Sequence, residues 1–218
     1  MLRFDQTLYE GMRLMWSKTL SFGTLMLIAS LVVGPKVSQA QSPAVSIRPN
    51  NLALYQSVLG FQFLVGSDPI EVSALGFYQD AMRQWADVHQ VGIFDMSQNL
   101  LTSAVVTSSS LLEDLFRYEH VNPIRLSANT SYVIAGTTGQ DRFTFSPVSF
   151  QVNPAITYEA NRFSAGTTLA FPGPPVGNWI GWFGPNFKLQ AVPEPGALAL
   201  LVGMGAGGAL FLRRRARR

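Results

Sequence analysis

His89-Gln90-Val91-Gly92-Ile93-Phe94-Asp95 runs into Met96-Ser97-Gln98-Asn99 and then into Leu100-Leu101-Thr102-Ser103-Ala104-Val105-Val106. Both flanks are short and rich in branched and aromatic residues. The polar tetrad between them is a turn, so the stretch predicts a β-hairpin. Upstream, Ile70-Glu71-Val72-Ser73-Ala74-Leu75-Gly76-Phe77-Tyr78 opens with strict alternation, which predicts a strand with one wet face. The cluster Gly66-Ser67-Asp68-Pro69 separates it from another strand over Val58 to Val65. Downstream, Phe116 to Val121 alternates again. Ile124-Arg125-Leu126 and Ser131 to Gly136 flank a polar turn at Ser127 to Thr130, and a last strand lies near Trp182 to Leu189. Asp80 to Asp87 has room for one helical turn, and Leu111 to Phe116 reads either way. At least seven short strands without a long helix predict an all-β domain. The expected architecture is an antiparallel two-sheet sandwich, with a jelly-roll order preferred to an immunoglobulin-like one.

The two ends of the chain read differently from this body. Arg3, Arg13 and Lys18 precede an apolar stretch from Leu20 to Val33, Gly34-Pro35 breaks it, and Ser38 and Ala40 place small residues where a signal peptidase reads. Residues 1–40 are therefore expected to be a signal peptide with a helical apolar segment, cut after Ala40. At the other end, Pro193-Glu194-Pro195 precedes an uncharged run from Gly196 to Leu212 and the cluster Arg213-Arg214-Arg215-Ala216-Arg217-Arg218. As a helix the run reaches roughly 25 Å, the short end of what crosses a hydrocarbon core. The arginines would hold that end in the cytoplasm, leaving the body on the far side of the inner membrane. The expected division is a signal peptide (1–40), a flexible polar leader (41–51), a sandwich domain (52–190) and a C-terminal address (192–218), with its transmembrane helix over 196–212 and its basic tail over 213–218.

Removing both ends changes the electrostatics. The whole chain is +3, but Gln41 to Val192 carries seven basic residues against ten acidic ones. The basic balance thus belongs to the ends, and the body offers nothing to a nucleic acid. At roughly 150 residues the body is long enough for one well-filled core. The chain contains no cysteine, which removes thiol catalysis, thiolate metal sites and disulfide staples.

Pro193-Glu194-Pro195, the apolar run and the arginine cluster at Arg213, Arg214 and Arg215, in this order and behind an N-terminal signal, resemble the PEP-CTERM sorting signal of exported bacterial proteins. The resemblance implies recognition by an exosortase, an integral membrane cysteine protease, and cleavage at or near the Pro-Glu-Pro. It also implies a host that makes exopolysaccharide. The order of Leu75 to Tyr78, His89 to Asp95, Leu100 to Ala104, Phe116 to Tyr118, Tyr132 to Ile134 and Gly184-Pro185-Asn186-Phe187 resembles a β-sandwich domain of unassigned function that recurs in PEP-CTERM proteins. In that pattern a Gly/Asp-rich loop precedes the histidine strand; here Gln79 to Asp87 contains no glycine.

Catalysis finds little support in the body. Its histidines, His89 and His120, fall on predicted strands, and no Gly-x-Ser-x-Gly elbow, His-Glu-x-x-His, P-loop or dinucleotide fingerprint occurs. His89 reads as a polar strand residue bonded to a neighbour, and no catalytic residue is assigned. Asp80, Asp87 and Asp95 flank one loop and the next strand, a carboxylate set suited to a structural Ca²⁺ although no EF-hand spacing is present. No other cofactor is expected. Tyr158, Phe163, Phe171, Trp179, Trp182 and Phe183 crowd the C-terminal third, where rings either fill the core or stack on sugars. Trp179, beside Gly177 and Asn178, is the ring expected to be exposed, and Trp179 and Trp182 are the candidate sugar-binding residues. The function expected from these readings is that of an exported, non-enzymatic surface or matrix protein. Signal peptidase and an exosortase would process it after transient inner-membrane anchoring, and it would associate with exopolysaccharide in the envelope or biofilm matrix. A carbohydrate-binding module and a secreted hydrolase are the alternatives.

Overall fold

The structure is a computed structural model and describes residues 41–174 and 181–192. Among them are fifteen strands: β1 (Ser42–Pro43), β2 (Val45–Arg48), β3 (Asn51–Ala53), β4 (Ser57–Val65), β5 (Ile70–Tyr78), β6 (His89–Asp95), β7 (Leu100–Val106), β8 (Leu111–Glu113), β9 (Phe116–Leu126), β10 (Ser131–Thr137), β11 (Phe143–Phe145), β12 (Ser149–Val152), β13 (Ile156–Ala165), β14 (Trp182–Phe183) and β15 (Pro185–Ala191). Two five-stranded antiparallel sheets carry the body, in the orders β1-β15-β5-β9-β8 and β13-β4-β10-β6-β7. A three-stranded sheet (β14-β11-β3) and the pair β12-β2 complete it. The two large sheets share one core, an arrangement consistent with a sandwich. The expected signal helix and transmembrane helix lie outside the described residues.

The pairing is nested. The first strand, β1, lies beside the last, β15; β4 lies beside β10, β5 beside β9, and β6 beside β7. The β6–β7 hairpin sits where the alternation and the turn placed it. Asp95 holds the turn: its backbone carbonyl accepts Gln98 N–H, and its carboxylate accepts Asn99 N–H at 2.9 Å. Gln98 takes a left-handed φ of 70° there.

The core follows from period-two patterning. Phe61, Phe63 and Val65 of β4 and Ile70, Val72, Leu75 and Phe77 of β5 all point into it. A bulge between Val72 and Ala74 shifts the alternation by one residue, so that Leu75 and Phe77 stay inward. Phe63 meets Phe187 of the facing sheet with ring centroids 4.8 Å apart, and Phe61 meets Phe183 edge-on at 5.9 Å. Gly60 sits in β4 opposite Ala135, where a Cβ would overlap the Ile134 carbonyl oxygen.

Three sequence expectations are corrected here. β5 has no wet face: Ala74 and Tyr78 on its outer side pack with Phe116 and Tyr118 beneath Ile47 and Leu52. Residues 41–51 are not a free leader, because β1, β2 and the start of β3 pair with β15, β12 and β11. The buried Asn186 explains the second correction. Its Nδ2 donates to the Val45 carbonyl at 2.8 Å and to the Tyr118 hydroxyl at 3.0 Å, and its Oδ1 accepts Val45 N–H at 3.2 Å. One amide side chain thus satisfies both backbone groups of a buried residue, as burial requires. Finally, Asp80 to Asp87 holds no helical turn. The chain bends once, with Arg83 N–H bonded to the Asp80 carbonyl at 3.1 Å, and then runs irregularly. The ambiguous stretch Leu111 to Phe116 is a tight hairpin, turned at Asp114 with φ 52°.

Candidate functional site

The loop 79–88 leaves β5 and enters β6, and beside it runs the segment 137–142 that leaves β10. Two aspartates lock them together. The Asp141 carboxylate accepts Ala86 N–H at 2.9 Å and Asp87 N–H at 2.9 Å. In return, the Asp87 carboxylate accepts Gln140 N–H at 2.9 Å. Gly139 lies between these contacts with φ 55°, and a Cβ there would come within 2.6 Å of Asp87 Oδ2. Glycine suits both the left-handed backbone and the close approach. Asp80 turns inward as well: Oδ1 accepts Met82 N–H at 3.0 Å, and Oδ2 faces Arg142 at 3.5 Å.

His89 is the first residue of β6 and is fully buried beneath this lock. Its ring lies flat on Phe77, with centroids 4.0 Å apart and planes 2° from parallel, and Trp85 meets it edge-on at 4.6 Å. Nδ1 lies 2.8 Å from the Thr137 carbonyl and Nε2 lies 3.2 Å from Asp141 Oδ2. Both neighbours are acceptors, so only the imidazolium would fill both. Burial works the other way and pushes His89 below its ordinary value, against the Thr137 carbonyl bond and the charges of Asp141 and Asp87. A neutral ring that donates from Nδ1 to the Thr137 carbonyl gives up only the longer contact, to an Asp141 carboxylate that already has two backbone donors. The ring has no exposed surface through which to exchange a proton with a substrate. His120, by contrast, is exposed on β9.

Outside this buried layer lies a cleft of about 310 Å³ lined by Gln79, Gln84, Trp85, Ser108 and Arg117. The Arg117 guanidinium sits 5.7 Å from the centre of the Trp85 ring. It is held by Gln79 Oε1 at its Nε and by the Ser110 carbonyl at Nη1, the latter at 2.7 Å. Trp85 Nε1 is enclosed and takes no acceptor among the described residues.

The candidate residues read from sequence disperse. Asp80 and Asp87 share the loop, but Asp95 lies at the far end of β6 and serves the hairpin turn. Among the described residues no group of three His, Asp or Glu gathers at metal-binding range. Trp182 is half-buried in β14, edge-on to Phe163 at 4.8 Å and tilted against Phe143 at 6.4 Å. Trp179, Ser38, Ala40, Pro193, Glu194, Pro195, Arg213, Arg214 and Arg215 lie outside the described residues. Sequence reading missed Asp141, Trp85 and Arg117; the one local hint was Gly139 just ahead of Asp141 and Arg142.

Set against known protein families, curated proteins and solved structures, the chain matches none.

Proposed function

We propose that this chain is an exported, non-enzymatic protein of the cell surface or extracellular matrix, processed by signal peptidase and by an exosortase and associated with exopolysaccharide. One observation carries the reading. Pro193-Glu194-Pro195, an uncharged run and an arginine cluster follow one another at the C-terminus of a chain with an apolar, small-residue-terminated N-terminal segment. The domain between them is a jelly roll. First-with-last, second-with-seventh, third-with-sixth and fourth-with-fifth pairing supports that order among β1, β4, β5, β6, β7, β9, β10 and β15. A cysteine-free body with a filled aromatic core suits a protein that must persist outside the cell without disulfides.

The test is the intact mass of the protein recovered from the envelope and medium of its host. The expected product starts after Ala40 and ends at or near Pro193-Glu194-Pro195, with added mass if the new end is joined to another molecule. An unprocessed C-terminus retained in the inner membrane would overturn the sorting claim.

A further inference from the structure

We propose that the cleft between loop 79–88 and β9 binds the carboxylate-bearing unit of an acidic polysaccharide, with Arg117 as the anchoring cation. This rests on the exopolysaccharide association proposed above and names the sugar chemistry it would involve.

The hydrogen-bonding groups left free in the cleft set the chemistry of what it can hold. Arg117 spends Nε on Gln79 Oε1 and Nη1 on the Ser110 carbonyl, while Nη2 has no acceptor among the described residues. A guanidinium with two sides fixed and the third free is oriented before any ligand arrives. Because Gln79 Oε1 is already used by Arg117, what Gln79 has left to offer is its amide N–H groups. Ser108 and Gln84 are exposed with no hydrogen-bond partner among the described residues. The free groups are thus mostly donors arranged around one cation. A ligand that fits must be rich in acceptors and negatively charged, as a carboxylate with flanking hydroxyls is.

The surroundings sharpen the choice. No acidic residue lines the cleft. The three nearest along the chain are engaged elsewhere, Glu119 by the Ser110 hydroxyl at 2.8 Å, Asp80 by Met82 N–H and Arg142, and Asp87 by Gln140 N–H at 2.9 Å. The volume of about 310 Å³ lies at the small end of the roughly 300–1,000 Å³ typical of small-molecule sites. It suits one sugar unit of a longer chain that continues into solvent. The ligand would not stack on the Trp85 face, because Arg117 and His89 already pack against that ring. Recognition is therefore through hydrogen bonds and charge.

The experiment titrates the protein purified from its host with trigalacturonate, with neutral galactotriose and with acetate, by calorimetry at low and moderate salt. Trigalacturonate is expected to bind at least tenfold more tightly than the other two, and more weakly as salt rises. Arg117→Gln should weaken that binding about tenfold or more. Ser108→Glu, which places a negative charge on the exposed rim without touching the packing, should do the same and covers the case in which the Arg117 variant fails to fold. Val148→Ser, at an exposed position outside the cleft, should leave binding unchanged. No binding of trigalacturonate at millimolar concentration overturns the proposal. So does equal binding of galactotriose, which removes the carboxylate, or of acetate, which removes the sugar. An intact mass from the same preparation separates the two ideas. A processed protein without binding sinks this site alone, and binding by an unprocessed protein sinks the sorting claim alone.

Discussion

Asp87 and Asp141 exchange backbone partners: Asp141 accepts the N–H of Asp87 itself at 2.9 Å, and Asp87 accepts the N–H of Gln140, next to Asp141, at 2.9 Å. The exchange closes the entry loop of β6 over His89 and fixes the far wall of the cleft. Backbone N–H donors face both carboxylates.

The two halves of the lock are unequal. Asp141 serves two N–H groups and touches His89, whereas Asp87 serves one. Asp141→Ala should therefore lower stability by roughly 3 kcal/mol, and Asp87→Ala by about 1 kcal/mol, since a charge-assisted bond and the donor it leaves unpaired each cost on that scale. Urea unfolding followed by tryptophan fluorescence measures both, and equal losses would contradict the asymmetry.

Stability should fall as the pH drops below the ordinary histidine value of 6.5. In the folded protein burial lowers the His89 value, so over that window the unfolded chain binds a proton that the native chain does not. Stability then rises with pH and is fully present above 6.5. His89→Gln should flatten the slope of the unfolding midpoint between pH 7.5 and 5. A slope of the opposite sign would mean that the ring is protonated in the fold.

Much of the frame was legible in sequence because it is local. β5, β6 and β7 begin and end where alternation and turn residues put them. What escaped is held by distant partners. The strands at 42–48 look like a polar leader until Asn186 reaches Val45 across 141 residues of chain. β13 carries Glu159 and Arg162 on a pattern with no clean alternation, and it lies in register only because β4 is beside it. The site was harder still. Asp87 stood out as one of three acids, but its true partner, Asp141, is 54 positions away, and no spacing rule joins them.

Gly60→Ala should be among the most damaging single changes. The new methyl would meet the Ile134 carbonyl, which belongs to a paired strand and cannot rotate away. A cost of about 3 kcal/mol or more is expected for such overpacking, visible as a large drop in the thermal midpoint. A midpoint within a degree of the parent would show that β4 and β10 can separate freely.

β7 is the outer strand of its sheet and contains neither charge nor proline from Leu100 to Val106. Leu101 and Val105 are 40% and 52% exposed. Such an edge readily adds another strand. Leu101→Lys with Val105→Lys should slow self-association in light scattering at high concentration while changing the unfolding free energy by no more than about 0.5 kcal/mol. Unchanged association would place the sticky surface elsewhere.

β15 is the last described strand to be synthesised, yet it lies between β1 and β5. A growing chain that has not reached Pro185 leaves β1 without a partner and one side of β5 open. The sheet is thus assembled out of order, with an interior strand delivered last among the described strands. A ribosome still holding the residues of β15 would also hold the domain short of completion. A fragment lacking β15 leaves β1 unpaired and this sheet open at its second position.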